Sequence, residues 1–114
     1  MPALLPYYAA LVAAILCGIL GQVLLKAGAA RGADVMGQFL DPSTLVGLGI
    51  YGFAAVLYIL AIRKIPISLA FPSVSFSYIA VALIAHYAWG EPLGLPQVAG
   101  IAFIAVGIVL LHQA

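Results

Sequence analysis

The chain has 114 residues, of which 67% are hydrophobic and 6% charged, with a formal net charge of +1. A soluble domain carries roughly one-quarter charged residues, so this composition excludes water as the main solvent and puts the bilayer in its place. There is no basic patch to bind nucleic acid, and a single cysteine, Cys17, gives no intrachain disulfide and no thiolate metal cluster.

The charged residues fall in three places: Lys26, Arg31, Asp34 and Asp41; then Arg63 and Lys64; then Glu91. Between them lie four uncharged runs, 1–25, 42–62, 65–90 and 92–114. A hydrocarbon core about 30 Å thick needs roughly 20 apolar residues in helical form, and each run is long enough. Spanning segments satisfy their own backbone hydrogen bonds. The expected fold is therefore an all-α membrane protein, a bundle of four transmembrane helices in one domain over 1–114, with helices at about 4–27, 43–63, 67–89 and 96–112.

The first run has no basic leader and exceeds the roughly 7 to 15 apolar residues of a signal-peptide core, so it reads as a retained helix. Four crossings put both termini on one side. The first loop carries Lys26 and Arg31 and the second Arg63 and Lys64, which ties the positive-inside rule. The second loop is shorter and free of acids, which favours a cytoplasmic second loop and cytoplasmic termini; dual insertion stays open.

On the first helix, Gly18, Gln22 and Lys26 share one face. An amide turned to lipid leaves its hydrogen bonds unmade, so this face is expected to meet protein or water. The stretch from Gly28 to Thr44 reads as a loop, ending in a helix start at Asp41-Pro42-Ser43-Thr44. On the second helix, Tyr51, Ala55 and Tyr58 line up; packing is the ordinary reading of such a stripe, and a ligand wall the alternative.

Pro66 turns the chain into the third helix, where Pro72 removes a donor and frees the carbonyl of Ser68, so a bend is expected. Ser68, Pro72, Ser75 and His86 occupy a narrow arc with Tyr78 at its edge. That arc either lines a pathway or repairs backbone freed by the proline. His86, beside Tyr87 and Trp89, reads as a residue of the membrane boundary. Glu91-Pro92 closes this helix. The fourth carries Gly100 and Gly107 with Phe103 and Ile104 between them, a spacing that lets two helices approach closely in lipid.

The order of short motifs is itself informative: Gly21-Gln22-Val23-Leu24-Leu25-Lys26, Ile65-Pro66, Ala70-Phe71-Pro72 with Ser75-Phe76-Ser77-Tyr78, and Gly90-Glu91-Pro92-Leu93. Over nearly the whole chain it resembles the drug/metabolite transporter superfamily, in particular its small multidrug resistance-like members of four helices. Drug exporters of that group hold a membrane-embedded glutamate eight residues before the lysine that Lys26 matches; here that position is Gly18. A buried acid is what couples protons to cations in such exporters, so that exchange is not expected here. In its Gly-Gln-x-x-x-Lys ending of the first helix and its Ala-aromatic-Pro-x-x-Ser-x-polar-aromatic stretch the chain more nearly resembles the ArnE/ArnF-type aminoarabinose-lipid flippase subunits.

That resemblance implies a flippase for a polyprenyl (undecaprenyl) phosphate-linked sugar in a bacterial inner membrane, working among membrane lipids as a homodimer or as a heterodimer with a similar subunit. Lys26, Arg63 and Lys64 would meet the phosphate at opposite membrane faces. Gln22, Ser75 and Tyr78 would act as neutral partners between them, with Gly18 and Tyr58 on the same surfaces. As plain helix-end anchors, the three cations would instead snorkel to headgroups. Gly100, Ile104 and Gly107 would form the dimer seam, with rocking of the first three helices against it. Two other functions stay open: an exporter of small organic cations or metabolites, and a non-transporting accessory subunit. An enzyme is not expected, because no acid pair, His-Cys cluster or nucleophile-base spacing appears; no cofactor or metal is implied.

Overall fold

The computed structural model describes residues 3–32 and 34–113. Among these the chain folds as α1 (Leu5–Ala29), α2 (Val35–Leu40), α3 (Pro42–Ala61), α4 (Ile67–Val74), α5 (Phe76–Trp89) and α6 (Leu95–Gln113). Four segments are long and apolar enough to cross a bilayer: α1, α3, α4 with α5 as one broken span, and α6. Their 25, 20, 23 and 19 residues correspond to about 38, 30, 35 and 29 Å of helix, against a core of about 30 Å. The architecture is the expected all-α bundle of four membrane helices.

The helix ends follow from local chemistry. Asp41 stands ahead of Pro42 as the N-cap of α3, its carboxylate accepting the Ser43 N–H at 2.9 Å. Gly90, at φ +68, terminates α5: its N–H donates to the His86 carbonyl and the Glu91 N–H to the Ala85 carbonyl, the first being the bond of an αL cap, a closure that a residue tolerant of positive φ makes without strain. The segment read as loop between 28 and 44 departs from expectation. Within it α2 forms a short helix, because Asp34 caps it by accepting the Gly37 N–H at 2.9 Å. Its Val35, Met36, Phe39 and Leu40 stay exposed, apolar surface suited to the membrane boundary.

The third span also differs in where it breaks. Pro72 sits inside α4, and the interruption comes three residues later, at Ser75, whose N–H reaches back to the Pro72 carbonyl at 3.0 Å. Three hydroxyls brace this stretch: Ser73 Oγ donates to the Leu69 carbonyl, Ser77 Oγ to that of Val74, and Ser75 Oγ to that of Pro72. Serine hydroxyls bond backbone carbonyls in lipid in this way; the Ser68 carbonyl that Pro72 frees is not among these three acceptors.

Packing is closest between α1 and α3. A Cβ on Gly21 would lie 3.1 Å from Tyr51 Cβ and 3.2 Å from the Gly47 carbonyl, and one on Gly47 would lie 3.0 Å from Leu24 Cβ. At Gly28 the Thr44 hydroxyl occupies the space a Cβ would need. These glycines bring the two backbones together, the main route to helix association where the lipid is as apolar as the side chains. A small core of Leu11, Ala61, Ile65 and Ala70, flanked by Tyr7, Tyr8 and Tyr58, closes the end of the bundle near Arg63 and Lys64.

The bundle is a slab of 47 × 34 × 17 Å with a radius of gyration of 15.8 Å, against about 13 Å for a compact soluble chain of this length. Its thinnest dimension is under two helix diameters. We expect Gly47→Leu to force α1 from α3 and lower stability by about 1–3 kcal/mol, visible as a lower thermal midpoint in detergent. Gly52→Ala, where a Cβ meets nothing within 4 Å, should leave that midpoint unchanged or raise it.

Candidate substrate groove

A cavity of about 480 Å³ lies between α1, α3 and the broken third span. From α1 it is lined by Ala14, Ile15, Gly18 and Gln22, which recur every turn because α1 meets α3 through the neighbouring face that holds Gly21 and Gly28. From α3 come Tyr51, Ala54, Ala55 and Tyr58, and from the far side Phe71, Val74, Ser77, Tyr78 and Val81. Gln22, Tyr51, Phe71 and Tyr78 are exposed, so the cavity is a groove open along its side rather than a sealed chamber.

The wall is aromatic and small, with polarity confined to a few atoms. None of the side-chain hydrogen bonds within the described chain involves Gln22. The Tyr58 hydroxyl is buried and has no hydrogen-bond partner. Such a group stands ready for a ligand, since an orphaned hydroxyl costs the fold its desolvation until something accepts or donates to it. No carboxylate or cation is among the lining residues.

Of the residues singled out from sequence, the structure brings Gly18, Gln22, Tyr58 and Tyr78 to the groove. It does not bring Lys26, Arg63, Lys64 or Ser75 into the lining. Lys26 sits one turn past Gln22, with its Nζ 3.2 Å from a Glu91 carboxylate oxygen. Arg63 and Lys64 are exposed at the opposite end, beyond α3. Arg31 is tied down by Asp41 at 3.3 Å and the Ser43 hydroxyl at 3.1 Å.

The Tyr51–Ala55–Tyr58 stripe, read first as packing, lines the groove. Ser77 is the polar lining residue that sequence reasoning missed, along with the apolar Ala14, Ile15, Ala54, Phe71, Val74 and Val81. The spacing 71, 74, 77/78, 81 was its signal, but the serine arc through 68, 72 and 75 is more polar and drew the attribution to the adjacent face. His86 meets Tyr87 edge-on at 5.1 Å, and its Nδ1 lies 2.8 Å from the Glu91 carbonyl.

Comparison with known proteins gives this groove a family. The model of the EamA-like transporter family matches residues 2–113, almost the entire chain. The chain belongs to the EamA-like transporter family. It is thus a multi-pass membrane transporter. An "Uncharacterized protein y4nH" of Sinorhizobium fredii is 35% identical over 105 residues, covering 89% of this chain and 90% of that one. A protein of Escherichia fergusonii named "Probable 4-amino-4-deoxy-L-arabinose-phosphoundecaprenol flippase subunit ArnE" is 33% identical over 103 residues, covering 89% and 92%. No solved structure matches the chain.

For an EamA-like transporter the groove is the natural place to look for cargo contacts, and Tyr58 offers a clean probe. Tyr58→Phe removes a hydroxyl that has no partner among the described residues. We expect the variant to be as stable as the wild type or more so, by up to about 1 kcal/mol, in detergent unfolding, while transport of the physiological cargo falls.

Proposed function

We propose that this transporter moves a polyprenyl-phosphate-linked sugar, or a related anionic lipid, between the leaflets of a bacterial inner membrane, with the groove as the pathway. The observation that supports this reading most is the groove's form: it lies within the spanning helices and opens along its side, and it has Lys26 one turn beyond Gln22. A lipid cargo has to pass its head through protein while its tail stays in the bilayer, and only a laterally open groove permits that. Gly18 and the alanines leave room, and Gln22, Ser77, Tyr58 and Tyr78 offer neutral hydrogen-bonding groups to the sugar. Lys26 at one mouth and Arg63 with Lys64 at the other supply cations for the phosphate. Ser75, with its hydroxyl spent on Pro72, contributes by shaping the break rather than by contact. The homologue named as an aminoarabinose-phosphoundecaprenol flippase subunit supports the same class of cargo.

A second reading rests on the aromatic wall. Tyr51, Tyr58, Tyr78 and Phe71 around one groove would also suit an organic cation through cation–π contact. It lacks the buried acid that would exchange such a cation for protons.

A slab this thin leaves the groove open on one side, so a second four-helix chain, the same or similar, would complete it. Gly100, Ile104 and Gly107 on α6 are its proposed seam: a Cβ on either glycine meets nothing within 4 Å in the single chain. Gly107→Leu should therefore leave the chain's own fold intact while abolishing crosslinked dimers in native membranes.

The direct test is reconstitution in proteoliposomes. Wild-type protein should translocate an undecaprenyl-phosphate-linked aminosugar, and Lys26→Gln should slow it about tenfold or more, the effect of losing one charged hydrogen bond. Gln22→Leu should slow it to a smaller degree. Vesicles that exchange protons for an organic cation and ignore prenyl phosphates would overturn the lipid reading.

A further inference from the structure

The Lys26–Glu91 pair is the one ion pair among the described residues that joins α1 to the turn after α5 near the groove, and its two halves are held very differently. Glu91 is fixed by its backbone on both sides. Its N–H donates to the Ala85 carbonyl at 3.3 Å, and its own carbonyl accepts from His86 Nδ1 at 2.8 Å. Because a carbonyl only accepts, Nδ1 carries the proton, and the bond survives whether or not the ring is charged. Gly90, in the left-handed conformation, sets the turn that makes both contacts. Lys26 hangs from a flexible stem on the Gly18–Gln22 face of α1, about 6 Å along the axis from Gln22. Both side chains are nearly half exposed, at 46% and 45%, where an ion pair is weak and readily exchanged. It is also the only side-chain polar link among the described residues between α1 and the turn that closes α5.

Resting on the lipid-phosphate reading, we propose that the Glu91 carboxylate is a stand-in for the cargo's phosphate. It holds Lys26 while the groove is empty, yields it to a phosphodiester headgroup, and by letting go unties α5 from α1. A phosphodiester carries one negative charge and two free oxygens, as a carboxylate does. Lys26 therefore trades one monoanion for another, an exchange that an exposed, weak pair permits. The exchange also reports occupancy: α1 packs on α3 through glycines, α5 forms the other wall, and the pair spans the two walls. Binding at Lys26 thus frees one side of the groove to move against the other.

The test uses full-length protein in dodecyl maltoside, which contains no phosphate, titrated with a decaprenyl-phosphoryl sugar or, separately, with phosphatidylglycerol. Glu91→Gln removes the competitor and should tighten binding of the prenyl probe several-fold. Lys26→Gln should weaken it, and the double variant should bind no better than Lys26→Gln alone. Nitroxides placed at Ala29 and Ala88 in a Cys17→Ser background should move apart when the wild type binds the probe, and should already be apart in empty Glu91→Gln. The charge-reversed pair K26E/E91K keeps the attraction and hence the fold; under this proposal it loses the probe, whereas a purely structural bridge would leave binding at the wild-type level and so refute it.

Weaker binding in Glu91→Gln, or labels that stay in place, would overturn the stand-in role while leaving the flippase reading intact. Equal responses to phosphatidylglycerol and the prenyl probe would uphold the exchange at Lys26 and remove the prenyl-sugar assignment. Binding of neither lipid by the wild type would remove both.

Discussion

The contact on which the structure depends is the meeting of two backbones, α1 and α3, through Gly21, Gly28 and Gly47. Lipid gives apolar helices no reason to prefer one another, so association has to come from close packing, and here it comes from side chains that are missing. That contact fixes the rotation of α1. With Gly21 and Gly28 turned to α3, the adjoining arc of Ala14, Gly18 and Gln22 has to face away from it, and that arc becomes one wall of the groove. The groove's wall is thus set by a packing surface next to it on the same helix.

The opposite wall owes its shape to the interruption at Ser75. A proline inside a spanning helix leaves a carbonyl without its donor and water is not there to replace it. The hydroxyls of Ser73, Ser75 and Ser77 each reach back to a carbonyl in this stretch, which lets the backbone tighten and restart as α5. Ser73 also contacts His112 Nε2 at 2.8 Å, joining the braced stretch to the end of α6. The break therefore ties together the two helices that pack least tightly on the α1–α3 pair.

Much of this was legible in the sequence, for a physical reason. Charges are so costly in hydrocarbon that Lys26, Arg63, Lys64 and Glu91 mark the ends of the spans, and Asp41-Pro42 and Gly90 mark where helices start and stop. Which face of a helix meets which neighbour was less legible. Gly100–Gly107 and Gly21–Gly28 have the same spacing, yet within the chain only the second pair packs against another helix. Spacing states that a close approach is permitted and leaves its partner undetermined. The serine arc allowed two roles, pathway or backbone partner, for a related reason: at Ser75 the hydroxyl meets the helix's own Pro72 carbonyl, and the groove's lining passes to Ser77 and Tyr78 on the adjacent face. The short helix α2 was hidden because its six residues have no room for an amphipathic period, and it depends on a cap at Asp34.

Charge placement connects the fold to its proposed work. At one end of the bundle every nearby cation has a carboxylate partner, Arg31 with Asp41 and Lys26 with Glu91. At the other, Arg63 and Lys64 are exposed and make no ion pair among the described residues. Between the ends the groove's polar groups are only an amide and hydroxyls, set among aromatic and aliphatic side chains. An anionic headgroup on this path meets a cation already neutralised at one mouth and two uncompensated ones at the other, with no acid between them to hold a proton. On the proposed reading such a path equilibrates its cargo between leaflets, and net movement follows from whatever consumes the cargo on the receiving side. The two mouths then differ in kind, one exchanging a partner and the other attracting from a distance, and that asymmetry is written in the positions of seven charged residues.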